Sequence, residues 1–179
     1  QPKGVWESTT SGRGELTTYQ QDHGSSLYRR GLYTFIKLTA PHPRMMIFDA
    51  SNRDQCETQR SSTNTPLQAL TMLNDPTVLE ASRVMAERIA ITSQSLEDKI
   101  EQAFQSILIR PPTSFEKSQL IDYCQSQHTY FEENPALLKS TLRTGEYGHP
   151  EGDYSKPETG ALMKTILIIY NLEEAITKS

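Results

Sequence analysis

SLEDKIEQAFQSILIRPPTSFEKSQLIDYCQSQHTYF, residues 95–131, reads as two amphipathic helices joined at a proline corner. Ser95 stands where a side-chain oxygen can accept from the free N–H groups of a helix start. Behind it Leu96, Ile100, Ala103 and Ile107 recur at three- and four-residue spacing, with Phe104 and Leu108 beside them. That is the stripe of a helix with one buried face. Pro111-Pro112 brings no N–H groups to the ladder and ends the helix. Thr113 and Glu116 have capping-box spacing, and the helix they open carries Leu120, Cys124 and Phe131 inward.

The same punctuation extends both ways. Downstream, Asn134-Pro135 starts a short helix through Leu137, Leu138 and Leu142. YGHPEGDYSKP, residues 147–157, is a loop with two Gly and two Pro. A last helix from about Glu158 to Lys178 holds ILIIY at its centre, apolar on more than one side, which places it in the middle of a bundle. Upstream, Asp75-Pro76 opens a helix whose inward face is Val78, Ala81, Met85 and Ile89. Thr65-Pro66 opens a shorter one to Leu73.

Residues 40–65 form a long irregular segment, in which MMIF at 45–48 is the best strand candidate. Ser25 or Ser26 caps a helix to about Thr39. Residues 1–24, with Gly4, Gly12, Gly14 and Gly24, read as an extended arm anchored by Trp6 and Tyr19. The fold class is mainly α: an irregular bundle of about five to seven helices with long loops and little or no β. The arm spans 1–24 and one helical domain spans 25–179.

Composition narrows the function classes. A chain of 179 residues is the size of one domain, and a net charge of −4 opposes general nucleic-acid binding, which needs excess Lys and Arg. The mean hydropathy of −0.59 is that of a polar chain. The longest apolar run, Ile166 to Tyr170, is far short of the roughly 20 residues of a membrane span. No CxxCH is present, so no c-type haem is expected within this chain. Cys56 and Cys124 could pair but make no disulfide framework. The opening on Gln1 in place of Met is read as the start of a fragment whose targeting signal lies upstream.

Candidate chemistry concentrates in the first third. Asp49, Asn52, Arg53, Asp54, Glu57, Arg60, Thr63, Asn64 and Thr65 could hold a hard cation, or their arginines an anion. The acids lack the alternating spacing and central Gly of a calcium loop. The plainer reading, which we favour, is that Asp and Asn close turns while Arg ties loop carbonyls. Tyr28, Arg29, Arg30, Tyr33 and Lys37 mix rings and cations. Exposed, that face suits a polysaccharide or other polyanion, since rings stack on sugars and Arg forks carboxylate or sulfate. Buried, it would be ordinary core with Arg at the rim, the reading that Leu27, Leu32 and Ile36 favour.

The binding candidates are therefore Arg29, Arg30, Arg44, Asp49, Arg53, Asp54, Arg60 and Asn64. None of His23, His42, His128 and His149 falls at HxxxH or HExxH spacing, so no metal set is assigned. A zinc site from His23, His42, Cys56 and an Asp would be a guess. No GxSxG occurs, and no spacing selects a nucleophile or a pair of acids, so no catalytic residue is assigned.

RRGLYTFIKLTAPHPRMMIFDASNRDQC followed by RSSTNTPLQALTMLNDP is also where a family resemblance lies. These blocks closely resemble the C-terminal domain of large planctomycete-type surface proteins, a domain of unknown function also called a planctomycete surface domain. The resemblance runs from Pro2-Lys3-Gly4-Val5-Trp6 to Asn171-Leu172-Glu173-Glu174. AFQSILIRPPTSFEKSQL is also similar to a helix–proline–helix corner of bacterial surface proteins. The resemblance implies an exported location, periplasmic or cell-surface, and upstream domains of the same protein as partners. One of them would be a cytochrome-c domain carrying the haem. It brings no established activity. The expected role is a non-catalytic interaction or ligand-recognition module. The alternative is a part of the active site of a hydrolase or redox enzyme acting on extracellular polymer.

Overall fold

The computed structural model of the chain describes residues 22–33, 42–51, 58, 63–92, 95–150 and 154–177. Its backbone divides into two units between Ser61 and Ser62. Helices dominate, and no strand occurs among the described residues.

The first unit contains two short 3-10 helices, Gly24–Tyr28 and Gly31–Tyr33, and a one-turn helix α1, Pro43–Ile47. The strand candidate at 45–48 is thus helical. His42 explains why: its Nδ1 accepts the Arg44 N–H at 3.1 Å, and Pro43 sits at the first helical position with its φ preset. The helix expected from Ser25 to Thr39 is also different over its described part. Arg29 is extended (φ −80, ψ 149) between the two 3-10 helices. Gly31, poorly suited to a helix interior, lies at the break.

The second unit is a bundle of α2 (Pro66–Asn74), α3 (Pro76–Thr92), α4 (Leu96–Leu108), α5 (Ser114–Glu133), α6 (Pro135–Leu142), α7 (Pro157–Tyr170) and the one-turn α8 (Glu173–Ile176). The caps are those the sequence announces. Thr65 and Gln68 form a capping box, as do Thr113 and Glu116. Ser95 Oγ accepts from Asp98 N–H at 3.1 Å, and Asp75 Oδ1 from Thr77 N–H at 2.8 Å.

Helix α7 is the hub. It packs on α2, α3, α4, α5, α6 and α8 and buries Leu162, Met163, Ile166 and Ile169 completely or nearly so. Each such side chain contributes about 1.5–3 kcal/mol on burial. Ile100, Ala103 and Phe104 of α4, Leu120, Cys124 and Phe131 of α5, and Leu138 and Leu142 of α6 complete the core. Gly160 lets α7 come close: a Cβ there would stand 2.5 Å from Leu138 Cδ1 and 3.0 Å from Phe131 Cδ2. The last helix is shorter than expected, because the chain turns at Asn171-Leu172 before α8.

Helix α3 departs from its expected face. Val78 and Ile89 are buried, but Ala81 is exposed and Met85 only half-buried. Ser82 and Ala86 are fully buried in their place, alongside Glu80, Arg83 and Glu87. A charged stripe inside the bundle is the main surprise of the fold.

Candidate functional site

The basic and aromatic segment of the first unit faces outward. Tyr28, Leu32 and Tyr33 are 45%, 79% and 65% exposed, and Arg29 and Arg30 are exposed too. The buried reading of this face, which Leu27, Leu32 and Ile36 favoured in the sequence, fails at Leu32. Leu27 is half-buried, and Phe35, Ile36 and Lys37 lie outside the described residues. A 3-10 turn closes where Tyr33 N–H donates to Arg30 C=O at 2.9 Å. Its inner side rests on α1, since a Cβ on Gly31 would meet Met45 Cε at an ordinary 3.5 Å.

The other sequence candidates scatter. Arg44 is half-buried on α1. Asp49 has the left-handed φ of 54 and ends α1 in a Schellman motif. Its N–H reaches Met46 C=O at 3.3 Å, and Ala50 N–H reaches Met45 C=O at 2.8 Å. Its backbone therefore closes a turn. Asn64 is exposed in the second unit. Arg53, Asp54 and Arg60 lie outside the described residues, as do Asn52, Cys56 and Glu57. Among the described residues no group of three or more His, Cys, Asp and Glu could hold a metal ion.

The buried stripe of α3 forms the most connected polar cluster among the described residues, and the sequence reading missed it. Arg83 is wholly buried. Its Nη1 donates to both carboxylate oxygens of Glu87 at 2.9 Å, its Nε to Thr144 C=O at 2.9 Å and its Nη2 to Tyr147 C=O at 2.5 Å. Glu80 accepts the Tyr147 N–H at 2.5 Å. His149 Nδ1 lies 2.8 Å from Glu87 Oε1 and 2.9 Å from Arg83 Nη1. It can donate to the first or accept from the second, not both at once. The His149 ring stacks on Tyr154 at 3.9 Å, and Arg88 covers the Tyr147 ring at 5.8 Å.

The turn at 143–150 is built to fit this stripe. Gly145 has φ +89, and a Cβ there would collide with the Glu80 carboxylate. Glycine is the residue that meets both demands. The only signal in the sequence was the spacing of Glu80, Arg83 and Glu87 on one helical face, facing partners sixty residues away.

Three further ionic ties are structural in form. Arg110 forks onto Glu116 and Glu174, holding α8 to the α4–α5 corner, with its guanidinium 4.9 Å over the Phe104 ring. Both acids are held below the usual carboxylate range, Glu116 at about 2, by Arg110 first. Buried Lys99 pairs with Glu158, and Lys117 with Glu97 and Glu101. Cys124 is a free, buried thiol, and burial pushes its pKa up against a hydrogen bond from Thr165. His128 is a boundary residue, partly exposed and 3.6 Å from Glu132. No described helix is long and apolar enough to cross a membrane.

Comparison with known proteins gives one family and no experimental relative. No curated protein matches the chain, and no solved structure does. The family model of PSD1, "Protein of unknown function (DUF1553)", matches residues 3–124, from the first unit through Cys124 of α5. The chain belongs to the PSD1 family of proteins of unknown function.

Proposed function

We propose that this chain is a recognition module of an exported, multidomain surface protein, non-catalytic itself and working beside a haem-binding domain carried elsewhere in that protein. Its partners on this reading are the neighbouring domains and an anionic polymer such as an acidic polysaccharide. One contrast carries the reading. In the helical bundle the buried cations are consumed by internal pairs: Arg83 by Glu87, Lys99 by Glu158. In the first unit Arg29 and Arg30 face outward beside exposed rings. Paired, buried charge holds a shape, whereas outward cations with rings address a ligand.

Three measurements test this. Titration of the chain with dextran sulfate and with neutral dextran should give binding to the first only. Titration with the purified neighbouring domains should give a second, independent interaction. Failure of both would overturn the recognition reading. Expressed alongside a c-type haem maturation system, the isolated chain should show no Soret band. A stable Soret band would overturn the division of labour with a haem-binding neighbour.

A further inference from the structure

We infer that Arg30 and Tyr33 form one sugar subsite for a uronic-acid polysaccharide, with Arg29 as the contact to the next acidic unit. The inference rests on the recognition reading above and names its ligand. In a 3-10 turn, side chains at i and i+3 eclipse. The Arg30 C=O to Tyr33 N–H bond makes these two residues such a pair. The turn thereby places the Arg30 and Tyr33 side chains on one side, and both residues are exposed. A ring can cover the apolar face of a pyranose while its hydroxyl stays in water. The guanidinium fork matches the carboxylate that a uronic acid carries on the same ring.

Arg29 decides for a polymer over a small anion. Its extended backbone sends consecutive side chains to different sides of the chain. Successive charged sugars along a strand can meet both diverging cations, whereas a single small anion would have to bend both side chains inward. The guanidiniums are available, because neither Arg29 nor Arg30 is engaged by a carboxylate among the described residues. Charge distribution agrees. Residues 1–61 hold eight Lys and Arg against six Asp and Glu, whereas 62–179 hold ten against sixteen, so attraction for a polyanion is confined to the first stretch.

The test titrates the whole chain with polygalacturonate, dextran, polyphosphate and single-stranded DNA at low and physiological salt. Polygalacturonate should bind, more weakly as salt screens the exposed arginines. Free galacturonate should compete poorly. Arg30→Gln and Arg29→Gln should each weaken binding about tenfold, one charge-assisted contact apiece. Tyr33→Ala should weaken polygalacturonate binding and leave polyphosphate unchanged. All three positions are exposed, so thermal stability should not move. Polygalacturonate binding that survives Arg29→Gln/Arg30→Gln would overturn the subsite while the recognition reading stands. Polyphosphate or DNA binding as tight as polygalacturonate, with no effect of Tyr33→Ala, would overturn the sugar class. No polymer binding, with the neighbouring domains still bound, would overturn this inference alone.

Discussion

Arg83 gives one guanidinium nitrogen to both carboxylate oxygens of Glu87, one helical turn further along α3, and each side chain is 1% exposed. The pair is sealed by a turn sixty residues downstream, whose Thr144 and Tyr147 carbonyls accept from the arginine Nε and Nη2. A charge so deep is tolerable only while every lone pair and proton around it is matched. Arg83 is therefore the tie between α3 and the turn at 143–150.

Arg83→Met should destabilise the chain by about 3–5 kcal/mol, since it strands Glu87 and two carbonyls out of water. Glu87→Gln should cost less, because an amide oxygen can still accept from Arg83. The double variant Arg83→Met/Glu87→Leu should recover part of the loss. Urea unfolding followed by far-UV circular dichroism measures all three. A double variant as damaged as Arg83→Met alone would locate the energy in the loop carbonyls instead of the buried charge.

Gly160→Ala tests the close approach at the centre of the bundle. Alanine is the better helix former by about 1 kcal/mol. The new methyl, however, would press on Leu138 and Phe131, both buried and closely packed. Overpacking of this kind typically costs about 1–3 kcal/mol, so the net effect should be a loss. A raised melting temperature would show that Leu138 can swing aside.

Much of the bundle was legible because its boundaries are local chemistry. Thr65-Pro66, Asp75, Ser95 and Thr113 each satisfy the N–H groups next to them, so a few residues suffice to place a helix start. The face of α3 was less legible. An apolar stripe through Ala81 competes with a charged one through Glu80, Arg83 and Glu87, and the winner depends on a turn distant in sequence. The segment MMIF is too short for any periodicity to show, and only Pro43 and the His42 cap mark it as helix. The exposure of Tyr33 was illegible for a different reason: Leu27, Leu32 and Ile36 line one side only if the backbone is α-helical, and it breaks at Arg29.

The Arg110 network predicts an acid-sensitive corner. Arg110, with the Thr113 N–H, lowers Glu116 from its ordinary 4.5 to about 2, and Arg110 lowers Glu174 as well. A depressed carboxylate stabilises the folded chain above its unfolded pKa and loses that effect as pH falls through the folded one. Stability should therefore be level above about pH 4.5 on this account and decline towards pH 2. Glu116→Gln should be less stable at neutral pH and show a shallower decline over the same window. Parallel pH profiles for the two proteins would exclude Arg110–Glu116 as a source of acid sensitivity.

Ile109 is the one β-branched residue held in left-handed backbone among the described residues, with φ 59, and its side chain is 88% exposed. It occupies the C-cap of α4, where the chain must reverse before Pro111-Pro112. That conformation costs an L-residue about 1–2 kcal/mol, and a solvated side chain returns little of it through packing. Ile109→Gly should thus raise stability by about 1 kcal/mol, the relief of strain being partly offset by the freer unfolded chain. The urea midpoint should rise with the slope unchanged. A fall in stability would overturn this account of strain at the corner.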